Sequence, residues 1–379
     1  MAGTIRKRGV ESWEIRFDVG RDAKTGQRRF RYQTVHGSKR QAEQALTEAL
    51  HRRDTGMDVQ PSKLSVGEFL ERWLRDYAEV NVAPSTLQRY RQIVGRLAPL
   101  LGHFRLQDLR PAHIQAAYRA LLGDGLAHRT VLHHHRVLRQ ALQQAVLWQF
   151  ITHNPADAVT PPRPQRTEMR ALDPVDVHRL IDGCDDQELA TLISLAVATA
   201  MRLGELLGLR WTDFDFNGAT LHLARTAQYL PDTGVTLRTP KTPRSRRSIA
   251  LSPDTIALLH QHRSRQLQAR LALGSAYRDQ GLVFATVEGD PIPPYRISGR
   301  FSTLVRRVGL EPLRFHDLRH TAATLMLRAG VHPKIVSERL GHATVAITLD
   351  TYSHVMPDMQ RDAAAVVDGL LARDQGRNY

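Results

Sequence analysis

The sequence predicts a multidomain chain: a small α+β module first, then an all-α bundle, then a larger mixed, mainly α domain. Three observations carry this expectation. At 379 residues the chain exceeds one ordinary core, so two or three domains are the expected organisation. Alternating apolar and polar residues mark strands near the start and again in the second half, with helical periodicity elsewhere. The stretch Pro161-Pro162-Arg163-Pro164-Gln165-Arg166 separates two helical regions, because prolines favour an extended path and interrupt both regular ladders.

Residues 1–60 supply the α+β module. Ser12 to Val19 alternates as a strand, Asp22-Ala23-Lys24-Thr25-Gly26-Gln27 reads as a turn, and Arg28 to Val35 alternates again. Ser38 to Arg53 reads as a helix with Ala42, Ala45, Leu46 and Leu50 on one side. Arg28, Arg29 and Arg31 follow the turn, so the sheet can offer basic groups to a DNA groove; a solvated charged face is the plainer reading.

Residues 64–156 read as four helices. Ser65 and Glu68 have capping-box spacing ahead of Phe69, Trp73, Leu74 and Tyr77, and Ser85 with Gln88 is expected to repeat it ahead of Leu87, Tyr90, Val94 and Leu97. Pro111 suits the first turn of a helix carrying Ile114, Ala117 and Tyr118, and a longer helix runs from about Thr130 to Trp148. His133, His134 and His135 are consecutive. Neighbours on a helix point in different directions, so no metal site is expected there. Pro155 and the proline-rich stretch mark a linker. Beyond it, Asp173-Pro174 opens a helix in cap-then-proline order and residues 187–200 form an apolar helix. Thr220 to Arg225, Val235 to Arg238 and Arg247 to Leu251 read as strands.

Bulk properties narrow the partner. Lys and Arg number 53 against 38 Asp and Glu, a formal charge of +15 that points to a polyanion, nucleic acid or an acidic membrane. The single cysteine, Cys184, excludes an intrachain disulfide and a cysteine-based zinc site. The start, Met1 to Arg8, lacks the apolar run of a signal peptide, and nowhere do eighteen apolar residues follow one another, so a cytoplasmic protein with no membrane partner is expected.

The residues that carry chemistry come in a fixed order after the linker. Ala200-Met201-Arg202-Leu203-Gly204-Glu205 is first, then Thr239-Pro240-Lys241-Thr242, then Arg314-Phe315-His316-Asp317-Leu318-Arg319-His320, then Leu340-Gly341-His342, and last Leu349-Asp350-Thr351-Tyr352-Ser353-His354. Such an inventory suits phosphoryl transfer. Arginine forks match the nonbridging oxygens on which charge builds. A phenol near pKa 10 needs a cationic pocket and a proton acceptor before it attacks, and a departing alkoxide needs a proton donor. His316 and Arg319 are about one helical turn apart, and Gly341 lets the chain turn so that His342 enters the site. Glu205 and Asp317 are expected to orient arginines or cap helices, and His320 and His354 to stand outside the chemistry.

In this ordered set the chain resembles the tyrosine recombinase family, also called phage integrases, over about residues 168–370. The resemblance implies that Arg202 and Arg319 clamp the scissile phosphate, Lys241 in a β-hairpin turn is the general acid, His316 and His342 complete the set, and Tyr352 is the nucleophile. It further implies that the helical segment 64–156 is a core-binding domain, residues 1–60 an arm-type DNA-binding domain, residues 168–370 the catalytic domain, and 371–379 a tail. The amino-terminal module resembles those of phage and integrative conjugative element integrases, which favours integration and excision of a mobile element. The implied partners are duplex DNA core and arm attachment sites, other protomers in a homotetramer, an excisionase and a host DNA-bending protein. No metal or cofactor is implied. A final helix over 361–371 is expected to dock in cis or on a neighbouring protomer. Three alternatives stand beside this reading: a chromosome-resolving recombinase, a type IB topoisomerase, and a DNA-binding protein without chemistry.

Overall fold

The computed structural model describes residues 3–21, 26–54, 62–164, 170–238 and 246–352, together with Ala364, Val367 and Asp368. By contact the chain divides into two units, residues 1–166 and 167–379.

In the first unit, β1 (Gly3–Gly9), β2 (Ser12–Arg21) and β3 (Arg28–His36) form an antiparallel sheet in that order, backed by α1 (Lys39–Asp54). Pairings such as Ile5 with Ile15 and Arg16 with Tyr32 set the register. Ile15, Phe17 and Ala42 are buried between sheet and helix, and Trp13 Nε1 donates to the Gly37 carbonyl at 3.0 Å. β1 is a strand the sequence pattern does not announce: in Gly3-Thr4-Ile5-Arg6-Lys7-Arg8-Gly9 only Ile5 is a large apolar residue, so the strand exists by backbone pairing with β2. On the sheet's exposed side the Arg16 guanidinium lies 3.8 Å from the Phe30 ring centroid and 5.8 Å from that of Tyr32.

The helices that follow pack around one apolar cluster. α2 (Val66–Trp73) opens on the Ser65–Glu68 capping box, in which Ser65 N donates to Glu68 Oε2 at 2.8 Å and Glu68 N to Ser65 Oγ at 3.2 Å. It continues through a π-helical turn, Leu74–Ala78, into α3 (Glu79–Asn81). α4 (Pro84–Leu101) starts two residues earlier than a Ser85 cap would place it. Pro84 occupies the first turn, where its missing N–H costs nothing, and Ala83 is the cap residue without a side-chain bond. α5 (Pro111–Gly123) and α6 (His128–Leu147) complete the bundle, whose centre holds Phe69, Trp73, Leu97, Tyr118 and Leu142. Of the consecutive histidines, His135 Nδ1 meets the Tyr118 hydroxyl at 3.0 Å and His134 Nδ1 the Thr130 carbonyl at 2.8 Å, so both serve the bundle. Pro155, expected in the linker, is instead buried at the start of a 3-10 turn, Pro155–Ala158, whose Asn154 cap accepts from Ala156 N at 3.0 Å.

The second unit is built on α8 (Gln187–Thr199), an apolar helix touched by α7 (Pro174–Asp182), α9 (Leu203–Leu207), α10 (Pro253–Leu273), α11 (Pro294–Arg307) and α12 (Asp317–Arg328). Asp173 caps α7 ahead of Pro174, as the sequence order requires. The strand expected over Thr220–Arg225 is shorter, ending at His222, and the strand at Thr226–Leu230 is one the sequence pattern does not announce. β5 (Thr220–His222) pairs with β4 (Phe214–Asp215) and β8 (Ser248–Ala250), whereas β6 (Thr226–Leu230) forms a separate hairpin with β7 (Gly234–Arg238). α13 (Pro333–Leu340) and α14 (Val345–Tyr352) close the described part and pack on each other. The expected helix over 361–371 lies outside the described residues apart from the three positions named above. Among the described residues no helix is long and apolar enough to cross a membrane.

Candidate active site

α8 ends on Ala200 in the left-handed conformation, φ 57°, and this turn throws the chain into Arg202, the cap residue of α9. Arg202 N donates to Glu205 Oε2 at 2.9 Å, and Arg202 Nη1 donates to Oε1 at 2.9 Å, so one carboxylate holds both ends of the arginine. Close packing is required here: a Cβ on Gly204 or Gly208 would meet the β6 backbone at about 3 Å.

Glu205 is buried and also receives Arg247, whose Nη2 and Nη1 lie 3.0 and 3.3 Å from its two oxygens. Burial alone would raise this carboxyl's pKa. The Arg247 and Arg202 contacts outweigh it and hold the pKa below the usual range, so Glu205 is an anion shared by two cations. Arg247 Nε donates to the Arg339 carbonyl at 2.7 Å, which ties the strand edge to α13.

Arg319 lies in the first turn of α12 and is 3 % exposed. Its Nη1 donates to the Ala200 carbonyl at 2.8 Å and its Nη2 to the Leu340 carbonyl at 2.6 Å. The left-handed end of α8 and the end of α13 thus present carbonyls to one guanidinium. Burial and then the nearby Arg202 charge lower its pKa. The two arginines are therefore close enough to repel each other, an arrangement suited to an anion seated between them.

His316 precedes α12 and is exposed; partial burial and the Arg319 charge lower its pKa. His342 follows Gly341, the left-handed cap of α13 at φ 67°, and its Nδ1 meets Thr348 Oγ1 at 2.8 Å. Burial, then Arg319 and Arg202, bring its pKa down to about 4, so its ring is neutral at pH 7. Tyr352 is the last residue of α14 and is 2 % exposed, packed among Ala200, Ala322, Ala323 and Leu340. Its hydroxyl lies 2.7 Å from His320 Nδ1. Burial pushes the phenol up to about 12 against the opposing pull of Arg319.

The chain thus gathers Arg202, His316, Arg319, His342 and Tyr352 into one cluster. Lys241 lies outside the described residues. Two members were not expected from the sequence. Arg247 completes the Glu205 ion pair, and His320 binds the Tyr352 hydroxyl instead of standing aside. His320 adjoins Arg319 in its motif, Arg247 lies outside the ordered motifs, and neither contact follows from spacing. Arg246, next to Arg247, joins Arg210, Arg225 and Arg238 in lining a shallow basic cleft of about 460 Å³.

The phage integrase family matches residues 170–359, and a phage integrase N-terminal SAM-like domain matches residues 65–122. The tyrosine recombinase XerC-like protein of Caldanaerobacter subterraneus is 27 % identical, with 96 % of this chain and 98 % of that protein covered. The ICEBs1 integrase of Bacillus subtilis is 25 % identical over 77 % of this chain and 80 % of its own length. In structure, the Tn1549 transposon integrase in complex with a circular intermediate DNA superposes with a TM-score of 0.69 at 20 % identity, covering 80 % of this chain and 99 % of that one. A lambda integrase tetramer bound to a Holliday junction gives 0.57 at 19 % identity, covering 92 % and 94 %. The similarity to these two structures is one of fold.

Proposed function

Because the chain belongs to the phage integrase family, we propose that it is a site-specific recombinase that cuts and rejoins duplex DNA through a covalent bond between Tyr352 and the scissile phosphate. The observation that carries this reading is the Tyr352 hydroxyl held beside His320 and close enough to Arg319 to feel its charge, with Arg319 in turn close enough to Arg202 to feel the charge there. Arg202 and Arg319 grip the nonbridging oxygens of the phosphate, where transition-state charge develops. His316 and His342 contribute donors around that phosphate, and Lys241 protonates the departing 5′ oxygen. Attack leaves a 3′-phosphotyrosine. The freed 5′ hydroxyl of a partner duplex then displaces Tyr352, and a second round resolves the Holliday junction. The phosphotyrosine conserves the bond energy and the arginines supply the positive charge, so neither ATP nor a metal ion enters the cycle.

Four protomers on two duplexes carry out this exchange in the cytoplasm. The similarity in fold to a tetrameric, junction-bound integrase supports the stoichiometry. The helical segment grips the core site. The amino-terminal sheet, with Arg16 stacked on Phe30, reads an arm site, which favours integration and excision of a mobile element with an excisionase and a host DNA-bending protein. Purified protein incubated with two labelled duplexes bearing the core site is expected to exchange their strands in the presence of a chelator. Relaxation of supercoiled DNA without exchange would instead assign a type IB topoisomerase activity.

A further inference from the structure

We propose that His320 is the general base of the cleavage step, taking the Tyr352 proton on Nδ1 as the phenol oxygen attacks phosphorus. This assignment rests on the recombinase reading and goes beyond it by naming the proton acceptor.

The geometry converges from two helices. Arg319 and His320 are successive residues of α12, about 100° apart around the helix, so Arg319 turns to the Ala200 and Leu340 carbonyls while His320 turns to the side where α14 lands. On α14, Thr348 and Tyr352 are four residues apart and share one buried face. Thr348 takes His342 Nδ1 at 2.8 Å, and Tyr352 takes His320 Nδ1 at 2.7 Å. His342 Nδ1 is therefore occupied, and His316 stands in the open before α12, edge-on to His320 with ring centroids 5.2 Å apart. Of the three histidines, it is His320 that is in contact with the reacting atom.

The surroundings of the ring favour its neutral form, and with the proton on Nε2 the Nδ1 atom is an acceptor. His320 is faced by His316, Asp317 and Arg319 on its own helix, by Arg314 just before it, by His342 after α13 and by Tyr352 on α14. Burial and then His316 bring its pKa down to about 4, so the ring is neutral across physiological pH and free to accept. A phosphate seated on Arg202 and Arg319 adds negative charge beside the ring and raises its proton affinity in the step that needs it.

The Tyr352 O–H bond breaks and its proton passes to His320 Nδ1. The oxygen's electron pair forms the O–P bond, the P–O5′ bond breaks, and the departing oxygen takes a proton from Lys241. On rejoining, the 5′ hydroxyl attacks phosphorus and gives its proton back to Lys241, the bond between phosphorus and the Tyr352 oxygen breaks, and His320 returns its proton to the leaving phenolate.

The test is single-turnover formation of the covalent adduct on a nicked suicide duplex, from pH 5.5 to 9, with the full chain and its His320→Ala and His320→Asn variants. Asn keeps a side-chain oxygen near the Nδ1 position without a useful proton affinity, and thermal midpoints and DNA binding verify that each variant is folded. Both variants are expected to cleave about 10²–10⁴-fold more slowly. Their rates should climb with pH toward the phenol pKa, and added imidazole should partly restore the Ala variant. A duplex with a 5′-bridging sulfur at the scissile position, whose leaving group needs no proton, should rescue a Lys241→Ala variant and leave the His320 variants slow. If His320→Asn cleaves within threefold of wild type, or the sulfur substrate rescues it, His320 is not the base, while the recombinase reading stands. If the wild-type chain forms no adduct on a verified site, both fail together.

Discussion

Arg247 lays two guanidinium nitrogens against the two oxygens of Glu205, at 3.0 and 3.3 Å, and both side chains are less than a tenth exposed. The same carboxylate holds Arg202, whose side chain is 42 % exposed. Glu205 therefore joins a buried arginine that ties the strand edge to α13 and a partly exposed one that is open to solvent.

This difference separates stability from activity. Glu205→Ala leaves Arg247 buried without its counter-ion and is expected to cost about 3–5 kcal/mol, read as a fall in the denaturation midpoint. Arg202→Ala removes the more exposed partner and should cost less than about 1 kcal/mol. It should nevertheless suppress adduct formation by at least about 100-fold, the scale for losing a transition-state charge donor. Equal destabilisation by the two variants would contradict the division of roles.

Gly341 sits at φ 67°, and a Cβ there would come within 2.9 Å of Arg247 Nη1. Gly341→Ala should cost about 1–2 kcal/mol from the left-handed backbone alone. It should also displace Arg247 and His342, slowing cleavage more than a surface Gly→Ala substitution such as Gly95→Ala, whose Cβ meets nothing within 4 Å. Parallel denaturation and cleavage measurements on the two variants test this.

Acid should weaken the fold through its histidines. His316, His320 and His342 all have pKa values lowered in the folded state, His320 and His342 to about 4. A group depressed in this way contributes stability that is fully present above its unfolded pKa, about 6.5, and is lost as pH falls toward the folded value. The thermal midpoint should be level above pH 6.5 and decline between 6.5 and 4. A midpoint that holds steady to pH 4.5 would mean these rings are not held neutral by the fold.

Much of this arrangement is legible in the sequence, for local reasons. The Ser65–Glu68 box, Pro111 and Asp173-Pro174 each state their helix start within four residues, and Gly341 announces the turn that delivers His342. Failures occur where a distant partner decides the outcome. β1 is a strand because β2 offers it an edge, and Pro155 is buried because α5 and α6 pack on its turn. β6 is a strand because β7 folds back to pair with it. His320 looks like a bystander beside Arg319, since its role depends on α14 returning from 32 residues away to place Tyr352 against it. The set Arg202, His316, Arg319, His342 and Tyr352 is readable from motif order, and the contacts that tune it are not.

The amino-terminal sheet offers a separable test. Replacing Arg28, Arg29 and Arg31 with Gln should weaken binding to an arm-site duplex and reduce the slope of log affinity against log salt by up to about 3, with core-site cleavage unchanged. An unchanged slope would remove the sheet from the DNA interface.

The most direct measurement is a denaturing gel of the full chain, incubated in chelator with a nicked suicide duplex bearing its core site, beside Tyr352→Phe. A protein–DNA adduct formed by the wild type and absent from the Phe variant is the expected result. Tight binding without an adduct, or an adduct that survives loss of the Tyr352 hydroxyl, would contradict cleavage by this tyrosine.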